Sequence, residues 1–147
     1  MAARDQARRI LEVTMKMALD DTGGRNVITA YEPGRVTVRE RVFERSVIIL
    51  PTTLHADWRV TDTRALRASD FGPLLEKPPE VVILGSGDAQ LFPNPSVMTT
   101  LMDLGVGIEV MDNAAACRTY NILLAEDRHV ALALIFAADA ESIDPGP

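Results

Sequence analysis

The chain has one cysteine, Cys117, and two histidines, His55 and His129, in 147 residues. A single thiol forms no internal disulfide, and neither histidine has a cysteine or carboxylate around it at a recognised ligand spacing, so no metal centre is expected. Aromatics make up 5% of the chain, and 15 Lys and Arg against 21 Asp and Glu leave a net charge of −6. That balance, with no basic-aromatic stripe, argues against nucleic-acid binding. No apolar run approaches the roughly 20 residues that cross a bilayer. Ile10-Leu11 is too short for a secretory apolar core, so the cytoplasm is the expected compartment. Neither a dinucleotide fingerprint nor a P-loop is present, no cofactor is expected, and no Ser–His or Cys–His pairing supports hydrolase chemistry.

What remains is an ordinary globular composition, 47% hydrophobic and 24% charged. A chain of this length buries about two thirds of its unfolded surface around one core. The expected organisation is a flexible extension over 1–16, one domain over 17–137 and a disordered acidic Pro/Gly tail over 138–147. Asn26–Tyr31 and Gly34–Val38 read as strands joined by a type II turn at Pro33-Gly34. Arg41–Glu44 and Ser46–Leu50 continue the sheet pattern, and Pro51 ends it. Leu54–Arg67 shows little pattern, with Trp58 expected to be half-buried and Ser69 to cap a brief helix through Glu76.

From Glu80 strands and helices alternate, the sign of βαβ units with parallel pairing. Val81–Leu84 is a buried strand running into Gly85-Ser86-Gly87-Asp88, a polar loop at the carboxyl end of a parallel strand, where α/β folds place ligands. Asn94 caps and Pro95 opens a helix with Val97, Leu101 and Leu104 on one face, ended by Gly105. Gly107–Met111 reads as an interior strand, Asp112 as the N-cap of a helix through Ala125, and His129–Phe136 as the closing strand. Right-handed crossovers set the strands 81–84 and 107–111 side by side, so Ser86 and Asp112 are expected to face each other.

The helix after Asp112 carries Cys117, Arg118, Thr119, Tyr120 and Asn121 in one run. Helical spacing puts Cys117, Asn121 and Leu124 on one face, and Arg118, Ile122 and Ala125 on another. One reading is structural, with these groups bonding backbone and Arg118 tying down loop carbonyls. The other is a small-anion or ligand pocket built from Gly85, Ser86, Gly87 and the free N–H groups of Asn113–Ala115, with Arg118 or Asn121 orienting the ligand. Asp112 or Cys117 would be its reactive group, although Cys117 lies in the second turn, where the helix dipole has faded.

Asn26–Tyr31, Ser46–Pro51, Trp58, Val82–Gly87, Phe92-Pro93 and above all Gly107–Asp112 through Ala115–Leu123 resemble the Mth-938-like family, over about residues 15–136. Ser86 stands where that family usually has Thr, and Asp127 where Gly commonly follows the Glu. The resemblance implies a single α/β domain of three-layer β/β/α type. Its parts are a mostly parallel central sheet, an added antiparallel β layer from the early strands, and helices against the other face. The family includes a mitochondrial assembly factor of respiratory complex I. The resemblance therefore implies a non-enzymatic assembly or interaction protein, with a protein partner linked to a respiratory membrane complex and no insertion into the bilayer.

Overall fold

The computed structural model describes residues 23–138. The expected extension over 1–16 and all but the first residue of the expected tail lie outside them. Strands β1 (Ile28–Glu32), β2 (Arg35–Val38) and β3 (Arg41–Phe43) form a small antiparallel sheet. Glu32 pairs with Arg35 across the expected two-residue turn, where Gly34 takes φ +79°. A positive φ at this position is what a type II turn asks of glycine.

Five strands form the central sheet: β4 (Val47–Ile49), β5 (Leu54–His55), β6 (Val81–Gly85), β7 (Gly107–Met111) and β8 (Val130–Leu134), in the order β5-β4-β8-β6-β7. The pairs β6/β7 and β6/β8 are parallel, whereas β4 pairs antiparallel with both β5 and β8. The sheet is thus mixed, because Ser46–Leu50 crosses from the first layer into the central sheet instead of extending the small one. The strand expected to close the sheet is its hub: Val130–Leu134 is buried at all five residues. The strand expected in the interior is an edge, with Gly107 and Glu109 exposed. Continuous apolar sequence marks a strand covered on both faces. His129–Phe136 has it over seven residues after His129, whereas Glu109 interrupts Gly107–Met111.

Alternate side chains of β4, β6 and β8 feed two separate cores. Ile49, Ile83, Leu132 and Leu134 face one side, where helix α2 (Asn113–Ala125) lies with the small sheet and contributes Cys117, Tyr120 and Leu124. Ile48, Val82, Leu84, Ala131 and Ala133 face the other, against helix α1 (Pro95–Asp103) and the segment carrying Trp58, Leu66 and Phe71. The helices therefore divide between the two faces, and α2 shares its face with the added β layer.

Both helix starts follow the sequence. Asn94 Oδ1 accepts the Ser96 N–H at 2.9 Å, and Asp112 Oδ1 accepts the Ala115 N–H at 2.9 Å. Gly105 (φ +80°) ends α1, and Asp127 takes φ +60° after α2, the left-handed conformation that glycine adopts more easily. Leu104, expected on the buried face of α1, is 53% exposed because it sits at the cap, past the last full turn. In place of the helix expected from Ser69, two 3-10 segments run over Thr63–Ala65 and Ala68–Leu74. The Asp70 carboxylate accepts the Arg67 N–H at 2.8 Å and starts the second, whose Pro73 would interrupt an α-helical ladder. Trp58 is buried, not half-buried: its Nε1 donates to the Asp70 carbonyl at 2.8 Å and its ring tilts against Phe71.

Candidate functional site

The parallel strands β6, β7 and β8 end together at Gly85, Met111 and Leu134. Sheet pairing continues one step further on each side, with Ser86 N–H donating to the Met111 carbonyl at 2.9 Å and Ile135 N–H to the Gly85 carbonyl at 3.0 Å. The Ser86 hydroxyl donates to the Ala89 carbonyl at 2.8 Å and accepts the Leu91 N–H at 2.8 Å, folding the loop back on itself. Thr63, from the first 3-10 segment, donates its hydroxyl to the Ser86 carbonyl at 3.0 Å.

Asn113 joins the loop, α2 and the end of β8. It is 1% exposed; its Oδ1 accepts the Gly87 N–H at 3.1 Å, and its Nδ2 donates to the Ile135 carbonyl at 3.0 Å. Its own N–H donates to the Gly87 carbonyl at 2.8 Å. Such closeness is possible because residue 85 is glycine: a Cβ there would overlap Asn113 Oδ1 and come within 2.6 Å of Leu134 Cδ2.

Above these residues opens a cleft of about 420 Å³, between the sheet edge and the Gly34 turn of the small sheet. Ser86, Gly87, Thr61, Thr63 and Asn113 give it polar walls, and Leu91, Ile135 and Phe136 an apolar one. Glu44, Asp62 and Asp88 line it as well. Close behind lies Tyr31, stacked on Phe136 with ring centroids 6.4 Å apart. The Tyr31 hydroxyl is shut off from solvent and has no hydrogen-bond partner among the described residues. Burial pushes its pKa up to about 12, offset in part by the neighbouring Asn113 side chain, whose amide groups are committed to Gly87 and Ile135.

Of the residues singled out in the sequence, Ser86 and Gly87 line this cleft, and Gly85 lies at its base against Asn113. The others diverge. Asp112 is spent as the cap of α2. With the Asn113 N–H bonded to Gly87 and the Ala115 N–H to Asp112, the cradle expected for an anion is largely filled by the protein's own acceptors. Cys117 is fully buried, and burial pushes its thiol pKa up strongly, which removes the thiolate that reactivity requires. Arg118 is exposed on the outer face of α2 and holds no loop carbonyl among the described residues, because its helical position turns it from the sheet. Asn121 reaches β1, accepting the Ile28 N–H at 2.9 Å and donating to the Ile28 carbonyl at 2.8 Å. The side chains of Asn113, Thr63 and Tyr31 escaped sequence reading. An asparagine directly after an N-cap is the one local signal, since this residue is a weak helix former that bonds backbone readily.

Residues 28–135 match the family model described as protein of unknown function (DUF498/DUF598). The chain belongs to that family. Among solved structures, a Bordetella parapertussis protein superposes with a TM-score of 0.70 at 35% identity, covering 76% of this chain and 95% of that one. A Bordetella pertussis protein described as a Mth938-like domain gives 0.68 at 30% identity, covering 83% and 93%. A Francisella tularensis protein named 13 kDa major membrane protein is 26% identical over 106 residues, covering 71% of this chain and 86% of that protein. The Bos taurus NADH dehydrogenase [ubiquinone] 1 alpha subcomplex assembly factor 3 is 32% identical over 104 residues, covering 69% of this chain and 55% of the assembly factor. The chain thus spans about half the length of that curated assembly factor. Among the described residues no helix is long and apolar enough to cross a membrane.

Proposed function

We propose that this family member is a non-enzymatic assembly or interaction factor that works from the cytoplasm on a respiratory membrane complex. The observation that carries the reading is the likeness to complex I assembly factors, which extends over 69% of this chain. The side-chain chemistry is compatible with it: Cys117, Asn121, Asp112 and the Ser86 hydroxyl all serve internal contacts. The Francisella relative named as a membrane protein fits a place of action at the membrane surface.

Affinity-tagged full chain, cross-linked in native cells and recovered from membranes solubilised in mild detergent, tests this. The expected result is specific co-enrichment of respiratory-complex subunits. Recovery of no specific partner across several mild extraction conditions overturns the proposal.

The cleft supports a second reading, ligand binding at Ser86, Gly87 and Asn113. Its three lining carboxylates turn that preference away from anions. A thermal-shift screen against phosphorylated metabolites, organic acids and amines, run beside Ser86→Ala and Arg118→Ala, separates the two. A ligand at a hundredfold its dissociation constant stabilises by about 2.7 kcal/mol. A shift lost in Ser86→Ala and kept in Arg118→Ala supports the cleft, and no shift across the panel removes this reading.

A further inference from the structure

We propose that the cleft seats a lysine or arginine side chain carried by an extended segment of a partner protein, a proposal that rests on the interaction-factor reading above. Its carboxylates come from three distant parts of the chain: Glu44 after β3, Asp62 before the first 3-10 segment and Asp88 after β6. Among the described residues no lysine or arginine lines the cavity. Arg35 meets Glu44 at 3.1 Å and Arg64 meets Asp62 at 3.3 Å, both as solvent-exposed pairs. Such pairs contribute little, and an incoming cation can share their carboxylates. Asp88 forms no ion pair among the described residues.

Among the described residues the three lining carboxylates meet two arginines, one of which, Arg35, is shared with Glu32, so negative charge is in excess at the cleft. That potential disfavours phosphate or carboxylate ligands and favours a cation. Part of the cavity wall is apolar. Leu91, Ile135 and Phe136 offer a wall for an aliphatic stem, the arrangement that suits a long side chain with a charged head and a methylene body. A bare metal ion would leave that wall unused, and among the described residues no group of His, Cys, Asp and Glu is placed to hold one.

The test is a titration of the ¹⁵N-labelled full chain with the capped peptide Gly-Ala-Arg-Ala-Gly, its citrulline counterpart and spermidine, followed by amide chemical shifts. The arginine peptide is expected to move the Gly87, Asp88 and Ala137 amides saturably, and citrulline to bind about tenfold more weakly because it keeps the shape and loses the charge. The Glu44→Gln/Asp88→Asn double variant should weaken the peptide about fivefold or more while the other amides stay in place. Should that variant fail to fold, Asp88→Asn alone, in an exposed loop, makes the same test. Absent saturation, equal binding of citrulline, or unchanged binding by the variant overturns the proposal. Spermidine binding tighter than the peptide also overturns it, in favour of a free polyamine. If the double variant recovers the respiratory subunits as well as wild type does, the cleft assignment falls and the interaction reading stands. If wild type recovers none, the interaction reading is the one that fails.

Discussion

Gly85 and Asn113 are fitted to each other so closely that each predicts the cost of changing the other. Gly85→Ala drives a methyl group into Asn113 Oδ1 and Leu134 Cδ2, and overpacking of this kind costs about 2–3 kcal/mol. Asn113→Ala strands the buried Ile135 carbonyl and the Gly87 N–H, a loss of about 2 kcal/mol. Combined, the two should cost about 1 kcal/mol less than their sum, since truncating Asn113 removes the worse overlap. Urea unfolding of the four proteins measures this, and strict additivity would show that residue 85 has room to shift. Tyr31 makes the opposite case. Its hydroxyl is enclosed without a partner among the described residues, so Tyr31→Phe should raise stability by about 1 kcal/mol; a loss would reveal a partner such as a bound water.

The two tyrosines also fix a pH dependence. Burial raises both Tyr31, to about 12, and Tyr120 above their ordinary value of 10.0. The folded state then keeps protons that the unfolded chain releases. Their share of the stability should be full below pH 10 and fall progressively as the pH rises towards 12, on top of the fall that the buried Cys117 thiol begins above its ordinary 9.0. The fall should be shallower in Tyr31→Phe and in Tyr120→Phe; equal slopes in all three proteins would dismiss the tyrosines as its source.

Among the elements, β1 depends on a side chain from outside its sheet. Asn121 bonds both backbone groups of Ile28 and supplies what a neighbouring strand would, while the Tyr120 hydroxyl donates to the Asn26 carbonyl at 2.7 Å. Asn121→Ala should cost about 2–3 kcal/mol, because both Ile28 groups lose their partners. It should also speed amide exchange at Ile28 more than at β8, freeing β1 locally. Uniform acceleration over the molecule would mean the clamp acts only on global stability. The Asn121 face was legible because helical spacing puts 117, 121 and 124 together; its target was not, because Ile28 lies 93 residues away. The same division holds for the site. The turn at Gly34, the caps at Asn94 and Asp112 and the loop at Gly85–Gly87 carry local signals and were placed from sequence. Glu44, Thr61, Asp62 and Thr63 reach the cleft through tertiary packing, and the segment from 54 to 67 has no hydrophobic period to announce it. Edge and centre of the sheet were exchanged for β7 and β8 because strand order follows from pairings that no single strand encodes.

In the whole molecule, two cores lie back to back on one sheet, and the same strands supply both. Ile83 faces α2 while its neighbours Val82 and Leu84 face α1, so neither core can open without disturbing the backbone that holds the other. Each core contains one built-in reporter: Trp58, the sole tryptophan, on the α1 side, and Cys117, the sole cysteine, on the α2 side. Both are buried, so indole fluorescence and thiol labelling each report the opening of one face. If the shared strands make the fold one cooperative unit, the two probes should give the same urea midpoint and the same slope. Leu132→Ala, which removes side-chain volume from the α2 side alone, should cost about 3 kcal/mol. It should lower the Trp58 midpoint as far as that of Cys117, although Trp58 lies across the sheet from the cavity. A thiol that becomes reactive before the fluorescence changes would instead mean that α2 and the small sheet lift off as a separate layer, with the cleft opening between them.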